Sequence, residues 1–311
     1  MRILITEFMD EAALQRFPDS YSIHYDPALV DNQEALIVEL ACADALIVRN
    51  RTQVNQSLIA MAPKLKAVGR LGVGLDNIDV QACEDKAIAV LPATGANALS
   101  VMEYVIAATL MLVRGVYLAN GQMLQGGWPR SELGQGGEIQ GRVMGLCGFG
   151  GIARLVADKA MALGMRVAAY DPYLAADDPA WGGVIRCDFS ELIRRADVLS
   201  LHLPLTSETS HMVGSEAINC MKPTAILINT SRGGVVDEEA LIEALQSNRL
   251  AGAALDVYAK EPLSEEQAHR FTNCPNLVLT PHIAGVTREG NTRVSYVTVD
   301  NVMRVLEGGQ K

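Results

Sequence analysis

No apolar run of membrane length, no C-x-x-C pair, no internal repeat and no low-complexity tract occurs in this chain. Each absence removes a class of protein. Without about 20 consecutive apolar residues, no helix is expected to cross a bilayer. The six cysteines (Cys42, Cys83, Cys147, Cys187, Cys220, Cys274) are scattered, mostly inside apolar segments. Buried free thiols in a reducing cytoplasm are expected, with no disulfide and no metal site. Positive charge is also short, at 26 Lys and Arg against 36 Asp and Glu, a formal net charge of −10. That balance argues against nucleic acid and anionic membranes as partners, so an anionic substrate must be drawn by a local basic pocket. The opening MRILITEF reads as a strand and not as an export signal, which again points to the cytoplasm.

What is present is apolar and regularly punctuated: 311 residues, 49% hydrophobic, the size and composition of two soluble globular domains. The most informative stretch is Val143 to Asp171, VMGLCGFGGIARLVADKAMALGMRVAAYD. An apolar run short enough for a buried parallel strand turns at Gly148-Phe-Gly150-Gly151-Ile152-Ala153, continues as a helical pattern and stops at Gly164. A second strand, Arg166 to Tyr170, ends on Asp171. Strand, glycine turn, helix, strand and acid form a dinucleotide-binding βαβ unit. Gly148 permits the tight turn, Gly150 lets the backbone approach a pyrophosphate, and Ala153 takes the third glycine's place where helix and strand touch. The N-terminal end of the helix, near Gly151, would hold the phosphates. Asp171 would accept hydrogen bonds from the adenosine ribose, and no Arg or Lys follows it to meet a 2′-phosphate, so NAD is expected over NADP.

Short strands alternate with helical patterns before and after this unit. Ile3 to Thr6, Tyr21 to Tyr25, Ala45 to Val48, Leu65 to Val68 and Ala87 to Leu91 come first. Val198 to Leu201, Ala225 to Asn229, Gly252 to Val257 and Leu277 to Thr280 come later. The alternation predicts an α/β fold of parallel sheets covered on both faces. Ser100 and Glu103 are spaced as a capping box for a helix over Val101 to Gln122. GGWPRSELGQGGEIQG then reads as an exposed arm, and Arg288 to Leu306 as an amphipathic helix. Two strand-end loops, Val48-Arg49-Asn50-Arg51-Thr52 and Gly69 to Asn77, form a first candidate site, because ligands sit at the carboxyl ends of strands in open α/β sheets. Glycines at 72 and 74 leave backbone N–H groups around Val73 and Gly74 able to hold a carboxylate. Arg49 and Arg51 are either its basic side chains or a solvated surface pair.

Asn229-Thr-Ser-Arg232-Gly-Gly, Asp256-Val-Tyr-Ala-Lys-Glu261-Pro262 and Pro281-His282-Ile-Ala-Gly285, with GRLGVGLDNID, NALSVMEY and HLPLT, occur in this order. Together they resemble the D-isomer-specific 2-hydroxyacid dehydrogenase family over essentially the whole chain. The resemblance implies a Rossmann-type doubly wound nucleotide domain over residues 99–285. It also implies a discontinuous flavodoxin-like substrate domain from residues 1–98 and 286–311, the motifs lining a cleft. A homodimer formed through the nucleotide domain is implied as well, with the helix from Val101 and its arm at the interface.

Hydride transfer to a 2-keto carbon needs a proton donor at the carbonyl oxygen, and histidine suits that task. Of the five histidines, only His282 lies between a strand-ending proline and a loop of small residues. By resemblance, Glu261 orients His282 and favours its charged form, and Arg232 grips carboxylate and carbonyl oxygens, making Arg232, Glu261 and His282 the catalytic set. The resemblance places Gly148, Gly150, Gly151, Ile152, Asp171, His202, Pro204, Thr230, Arg232, Asp256, His282 and Gly285 at NAD. It places Arg49, Arg51, Val73, Gly74, Asn97 and Arg232 at substrate, with Arg49 preferred to Arg51. His202 lines the cofactor without moving a proton. The substrate implied is a small anionic 2-hydroxy or 2-keto acid. Within the family the motifs resemble sulfolactate-oxidising members most and phosphoglycerate-oxidising members next, with hydroxypyruvate or glyoxylate reduction a further possibility. An NAD-sensing corepressor is the non-enzyme alternative, and the intact Arg, Glu and His set argues against it.

Overall fold

The computed structural model describes residues 1–308. They divide into two compact units, the first running from Met1 to Asn97 and resuming at Val286, the second from Ala98 to Gly285.

The first unit contains β1 (Arg2–Ile5), β2 (Ser22–Tyr25), β3 (Ala45–Val48), β4 (Ala67–Arg70) and β5 (Ala89–Pro92), all parallel, in the order β2-β1-β3-β4-β5. Alternate side chains feed two cores. Ile3, Ile5 and Ile47 pack with Val294, Val299 and Val302 of the Arg288–Leu306 helix, while Leu4, Leu46 and Val48 pack with Leu36, Leu40 and Leu58 on the other face. A period of two splits the pattern this way, and burial on both faces explains why the strands read as continuous apolar runs. Gly69 marks where the C-terminal helix presses on the sheet: a Cβ there would lie 2.7 Å from a Val302 methyl.

The second unit contains β6 (Val143–Cys147), β7 (Arg166–Tyr170), β8 (Ile185–Arg186), β9 (Val198–Leu201), β10 (Ile226–Asn229), β11 (Gly252–Leu255) and β12 (Leu277–Leu279). All seven are parallel in the order β12-β11-β10-β9-β6-β7-β8. Counted from β6 this is the Rossmann order with one strand added at the far edge, and the first unit has the flavodoxin order. The chain reverses direction across the sheet between β6 and β9 in one unit and between β1 and β3 in the other. Ligands bind at the carboxyl ends of strands beside such switch points.

Several boundaries differ from the sequence reading. The Ala98–Arg114 helix begins two residues before Ser100, which lies buried in its first turn, so Ser100 and Glu103 do not cap it. The preceding turn at residues 94–97 already ends the chain's extended run. This helix also stops at Arg114, because Gly115 is left-handed (φ 67°), and a short helix, Ala119–Leu124, follows. Ala87 is left-handed at φ 55°, which delays β5 to Ala89. The glycine-rich arm contains one helical turn, Arg130–Leu133. All six cysteines are free, but Cys42 and Cys220 are exposed, each lying at or just past the end of a helix, so burial holds only for part of the set. Among the described residues no single helix is long and apolar enough to cross a membrane; Ala98–Arg114 and Val116–Leu124 meet that test only together, across a 69° bend.

Candidate active site

In the second unit the glycine turn follows β6, at the switch point. Gly148 is left-handed (φ 88°), and a Cβ on it would lie 2.5 Å from the His202 carbonyl oxygen, so a side chain is excluded twice over. Gly150 is the N-cap of the Gly151–Ala162 helix and offers no side chain to its first N–H groups. A Cβ on Gly150 or Gly151 would meet nothing within 4 Å, so open space lies in front of those donors. Ala153 is completely buried, as close helix and strand packing requires. Asp171 ties the turn to β7: Oδ2 accepts from Phe149 N at 2.8 Å and Oδ1 from Tyr173 N at 3.0 Å.

Asp256, just past β11, organises the loop that carries His282. Its Oδ1 accepts from Thr280 Oγ1 at 2.6 Å and Ile283 N at 2.8 Å, and Oδ2 accepts from Ala284 N at 2.8 Å. The Asp256 carbonyl accepts from His282 N at 2.8 Å. Because the Thr280 hydroxyl spends its proton on Asp256, the Tyr104 hydroxyl, 2.7 Å away, must be the donor to Thr280. Tyr258 adds a further tie, donating from its hydroxyl to the Thr280 carbonyl at 2.9 Å. His282 therefore stands on a loop bonded on several sides.

The His282 ring is half exposed, and its Nδ1 lies 2.7 Å from Glu261 Oε2. The carboxylate accepts the Nδ1 proton, which fixes the tautomer and leaves Nε2 for other work. Glu261 is itself held, Oε1 accepting from Tyr258 N at 3.0 Å. Arg232 precedes the Gly233–Val235 turn. Its Nη1 donates to Ser231 O at 2.7 Å, and its carbonyl accepts from Asn229 Nδ2 at 3.0 Å. His202 pairs with Ser200 Oγ at 3.0 Å through Nε2, and burial pushes its pKa down to about 4. A ring that is neutral at physiological pH cannot donate a proton in the way the reaction needs. Pro204 is exposed at the start of the loop after β9, where its carbonyl accepts from Thr209 Oγ1. The Thr230 hydroxyl is buried and has no partner among the described residues.

In the first unit the loop after β3 parts the two arginines. Arg51 is ion-paired with Asp31, both side chains more than half exposed. Arg49 is turned elsewhere: Nη2 donates to Asn291 Oδ1 at 3.0 Å, and the guanidinium stands 5.8 Å from the Phe8 ring centre. Burial lowers the Arg49 pKa, and the charge of Glu7 works against that shift. Beside β4, Val73 is exposed, and Arg70 curls beneath the loop to donate to Gly74 O at 2.7 Å and Leu71 O at 2.6 Å. Arg70 thus adds fixed positive charge under the Val73 and Gly74 backbone; the sequence reading places it in the Gly69 to Asn77 loop without a role, whereas it ends β4. Asn97 Oδ1 is buried without a partner among the described residues. Glu7, Phe8 and Asn291 were also missed in the sequence: their meeting with residue 49 spans the chain, and no spacing rule connects them.

Residues 106–284 match the model of the D-isomer specific 2-hydroxyacid dehydrogenase, NAD binding domain, family. Over 305 residues the chain is 52% identical to an (S)-sulfolactate dehydrogenase of Chromohalobacter salexigens, covering 98% of each. The chain belongs to the D-isomer specific 2-hydroxyacid dehydrogenases. It is also 36% identical to a D-3-phosphoglycerate dehydrogenase of Methanocaldococcus jannaschii, of which it spans 58%. A crystal structure of D-lactate dehydrogenase from Aquifex aeolicus, complexed with NAD and lactic acid, superposes with a TM-score of 0.83 at 29% identity, over 98% of this chain and 96% of that one. This family member is an NAD-dependent oxidoreductase acting on small 2-hydroxy or 2-keto acids. The second unit fits the cofactor: an uncapped helix start faces open space over two glycines, and a carboxylate, Asp171, not a cation, directly follows β7.

Proposed function

We propose that this chain interconverts (S)-sulfolactate and 3-sulfopyruvate. NAD, when bound, supplies the hydride acceptor or donor for C2 of the substrate. The Nε2 of His282 gives a proton to the keto oxygen in reduction and removes it in oxidation, with Glu261 holding the ring in the required tautomer. Arg232 binds the carboxylate and carbonyl oxygens through a planar fork that a lysine lacks. His202 stays neutral and packs at the nucleotide. Gly148, Gly150, Gly151, Ile152, Asp171, Pro204, Thr230, Asp256 and Gly285 complete the cofactor set. Val73, Gly74 and Asn97 serve the substrate carboxylate, and Arg49 takes the second anionic group.

One observation carries the choice of a dianion: of two arginines two residues apart, Arg51 is neutralised by Asp31, whereas Arg49 is held by the neutral Asn291 and by Phe8. Among the described residues Arg49 makes no ion pair, and the Glu7 carboxylate near it is taken up by backbone N–H groups, so the guanidinium keeps its hydrogen-bonding fork for a ligand. The 52% identity to the sulfolactate enzyme, against 36% to the phosphoglycerate enzyme, favours a sulfonate over a phosphate. A panel of 2-keto acids followed at the nicotinamide absorbance tests the reading. 3-Sulfopyruvate should give the highest kcat/KM, and a higher value for 3-phosphohydroxypyruvate, hydroxypyruvate or glyoxylate would overturn it.

The enzyme works in the cytoplasm as a homodimer. Leu110, Val116, Leu118, Met123, Leu124 and Trp128 expose apolar surface along the Ala98–Arg114 helix and the arm after it. Two-fold pairing buries such a patch twice. Light scattering at micromolar concentration should return twice the chain mass of 33.4 kDa, and the monomer mass would refute the pairing.

A further inference from the structure

Glu7 follows β1 directly and is only 4% exposed, yet no basic side chain bonds to it among the hydrogen bonds of the described residues. Its four bonds are to backbone. Oε1 accepts from Arg49 N and Thr52 N, both at 2.9 Å, and Oε2 from Asn50 N at 3.2 Å and Arg51 N at 3.0 Å. Four consecutive N–H groups converging on one carboxylate make an anion-binding concavity, filled here by a side chain of the protein itself. The loop's other end is pinned as well. The Thr52 hydroxyl bonds Thr6 Oγ1 at 2.9 Å, the Thr52 carbonyl accepts from Asn77 Nδ2 at 2.7 Å, and Val54 N donates to Asn77 O at 2.8 Å.

The sequence Arg49-Asn-Arg-Thr contains neither glycine nor proline, so nothing in its own composition fixes its path. The fixing comes from the neighbouring strand. β1 and β3 flank the switch point of the first unit, where a loop must be held in one place to read a ligand. We propose that Glu7 is a positioning residue for substrate choice: by clamping the backbone of residues 49–52 it keeps the Arg49 guanidinium where only a substrate with a second anionic group profits from it. This rests on the dianion reading of Arg49. Burial alone would raise the Glu7 pKa, but the N–H groups of Thr52, Arg49 and Arg51 outweigh it and leave the carboxyl below the ordinary glutamate value, so the clamp is charged at working pH.

Glu7 also acts on Arg49 as an anion, and the two effects have opposite signs. If charge dominated, Glu7→Gln would free the guanidinium's field and improve dianion binding. If positioning dominates, the amide keeps one acceptor, turns N–H toward N–H, and the loop slackens.

The test takes the full-length enzyme and its Glu7→Gln, Glu7→Asp and Arg49→Ala variants through two measurements. Amide exchange over residues 49–52 should speed up by at least about tenfold in Glu7→Gln, the signature of a lost hydrogen-bonded clamp. The ratio of kcat/KM for 3-sulfopyruvate to that for pyruvate should fall by about tenfold, through KM for the dianion more than through kcat. Glu7→Asp, which keeps the charge one methylene shorter, should recover part of both, and carries the test if Glu7→Gln fails to fold. Unchanged exchange, or a ratio that rises in Glu7→Gln, overturns the proposal. A ratio that Arg49→Ala leaves untouched would overturn the dianion reading first; a ratio that responds to Arg49→Ala and not to Glu7→Gln would overturn the role of Glu7 alone.

Discussion

Replacing Arg49 with Ala separates a specific anion site from a solvated surface charge. The guanidinium donates to Asn291 and lies near Phe8, with burial already lowering its pKa. A charge-assisted hydrogen bond from it to a sulfonate contributes about 1.5 to 3 kcal/mol. At roughly 1.4 kcal/mol per decade, kcat/KM for 3-sulfopyruvate should fall about ten to a hundredfold, while pyruvate, which lacks the second anion, loses far less. Arg51 provides the internal control. Its pair with Asp31 joins side chains 58% and 64% exposed. Exposed pairs contribute about 0 to 1 kcal/mol, so Arg51→Ala should change either substrate by no more than about fivefold. The loss of the Phe8 contact lowers stability by up to about 1 kcal/mol, which a melting curve measures separately from the kinetics. Equal losses on 3-sulfopyruvate and pyruvate would refute the reasoning, because Arg49 would then hold the carboxylate that both share.

Three further outcomes follow from the second unit. NAD should be preferred to NADP by at least about tenfold in kcat/KM, a difference near 1.4 kcal/mol, and Asp171→Ala should narrow it while raising KM for NAD, since Phe149 N also loses its acceptor; equal use of both cofactors by the parent enzyme would sink the assignment. His282→Ala should lower kcat by about a hundredfold or more with NADH still bound, and Glu261→Gln by about tenfold, because the ring loses the partner that fixes its tautomer; a parallel collapse of NADH binding, read by fluorescence titration, would assign both residues to the nucleotide. The His202 ring, with a pKa lowered to about 4 by burial, should show no NMR titration between about pH 8 and about pH 5. The sign works against the folded state in acid. The unfolded ring takes up its proton first, so the stability that His202 contributes is present above its ordinary pKa of 6.5 and is lost as pH falls toward 4.

Local chemistry made much of this legible in the sequence. The turn at Gly148, the helix start at Gly151 and the acid at Asp171 belong to one βαβ unit, and their places in it follow from distances along the chain. What resisted sequence reading is what the fold assembles from afar. In the sequence Arg49 is preferred to Arg51 only for its place nearer the strand end and by resemblance; Asp31 and Asn291, 20 and 242 residues away in sequence, part their side chains. Ser100 and Glu103 satisfy the capping spacing, but the residues before them had already turned, so the helix began at Ala98 and the motif was spent inside it. Arg70 reads as one residue of the loop from Gly69 to Asn77, whereas it ends β4, and that its side chain folds under the loop depends on the open backbone at Gly72.

Asp256 holds the loop that aims the His282 ring, the proton donor of the proposed reaction. His282 sits in the left-handed region at φ 55°, which for a residue with a Cβ costs roughly 1 to 2 kcal/mol. Isolated, the loop would relax away from that conformation. It is held by three donors to one buried carboxylate, Thr280 Oγ1, Ile283 N and Ala284 N, which bracket His282 on both sides in sequence. Net contributions of about 1.5 kcal/mol or more for each bond to a charged acceptor exceed the local strain, so the conformation is over-determined. Asp256→Asn keeps the volume but leaves only one oxygen to accept, and places an amide N–H beside backbone N–H groups. The ring should then wander from Glu261 although neither residue has been altered. kcat should fall by about tenfold or more with a smaller change in the KM for NAD, and adding Glu261→Gln should cost much less than it does in the parent enzyme, because both changes act through the aim of one ring. Fully additive losses in that double-mutant cycle would show that Asp256 acts on the cofactor and not through His282.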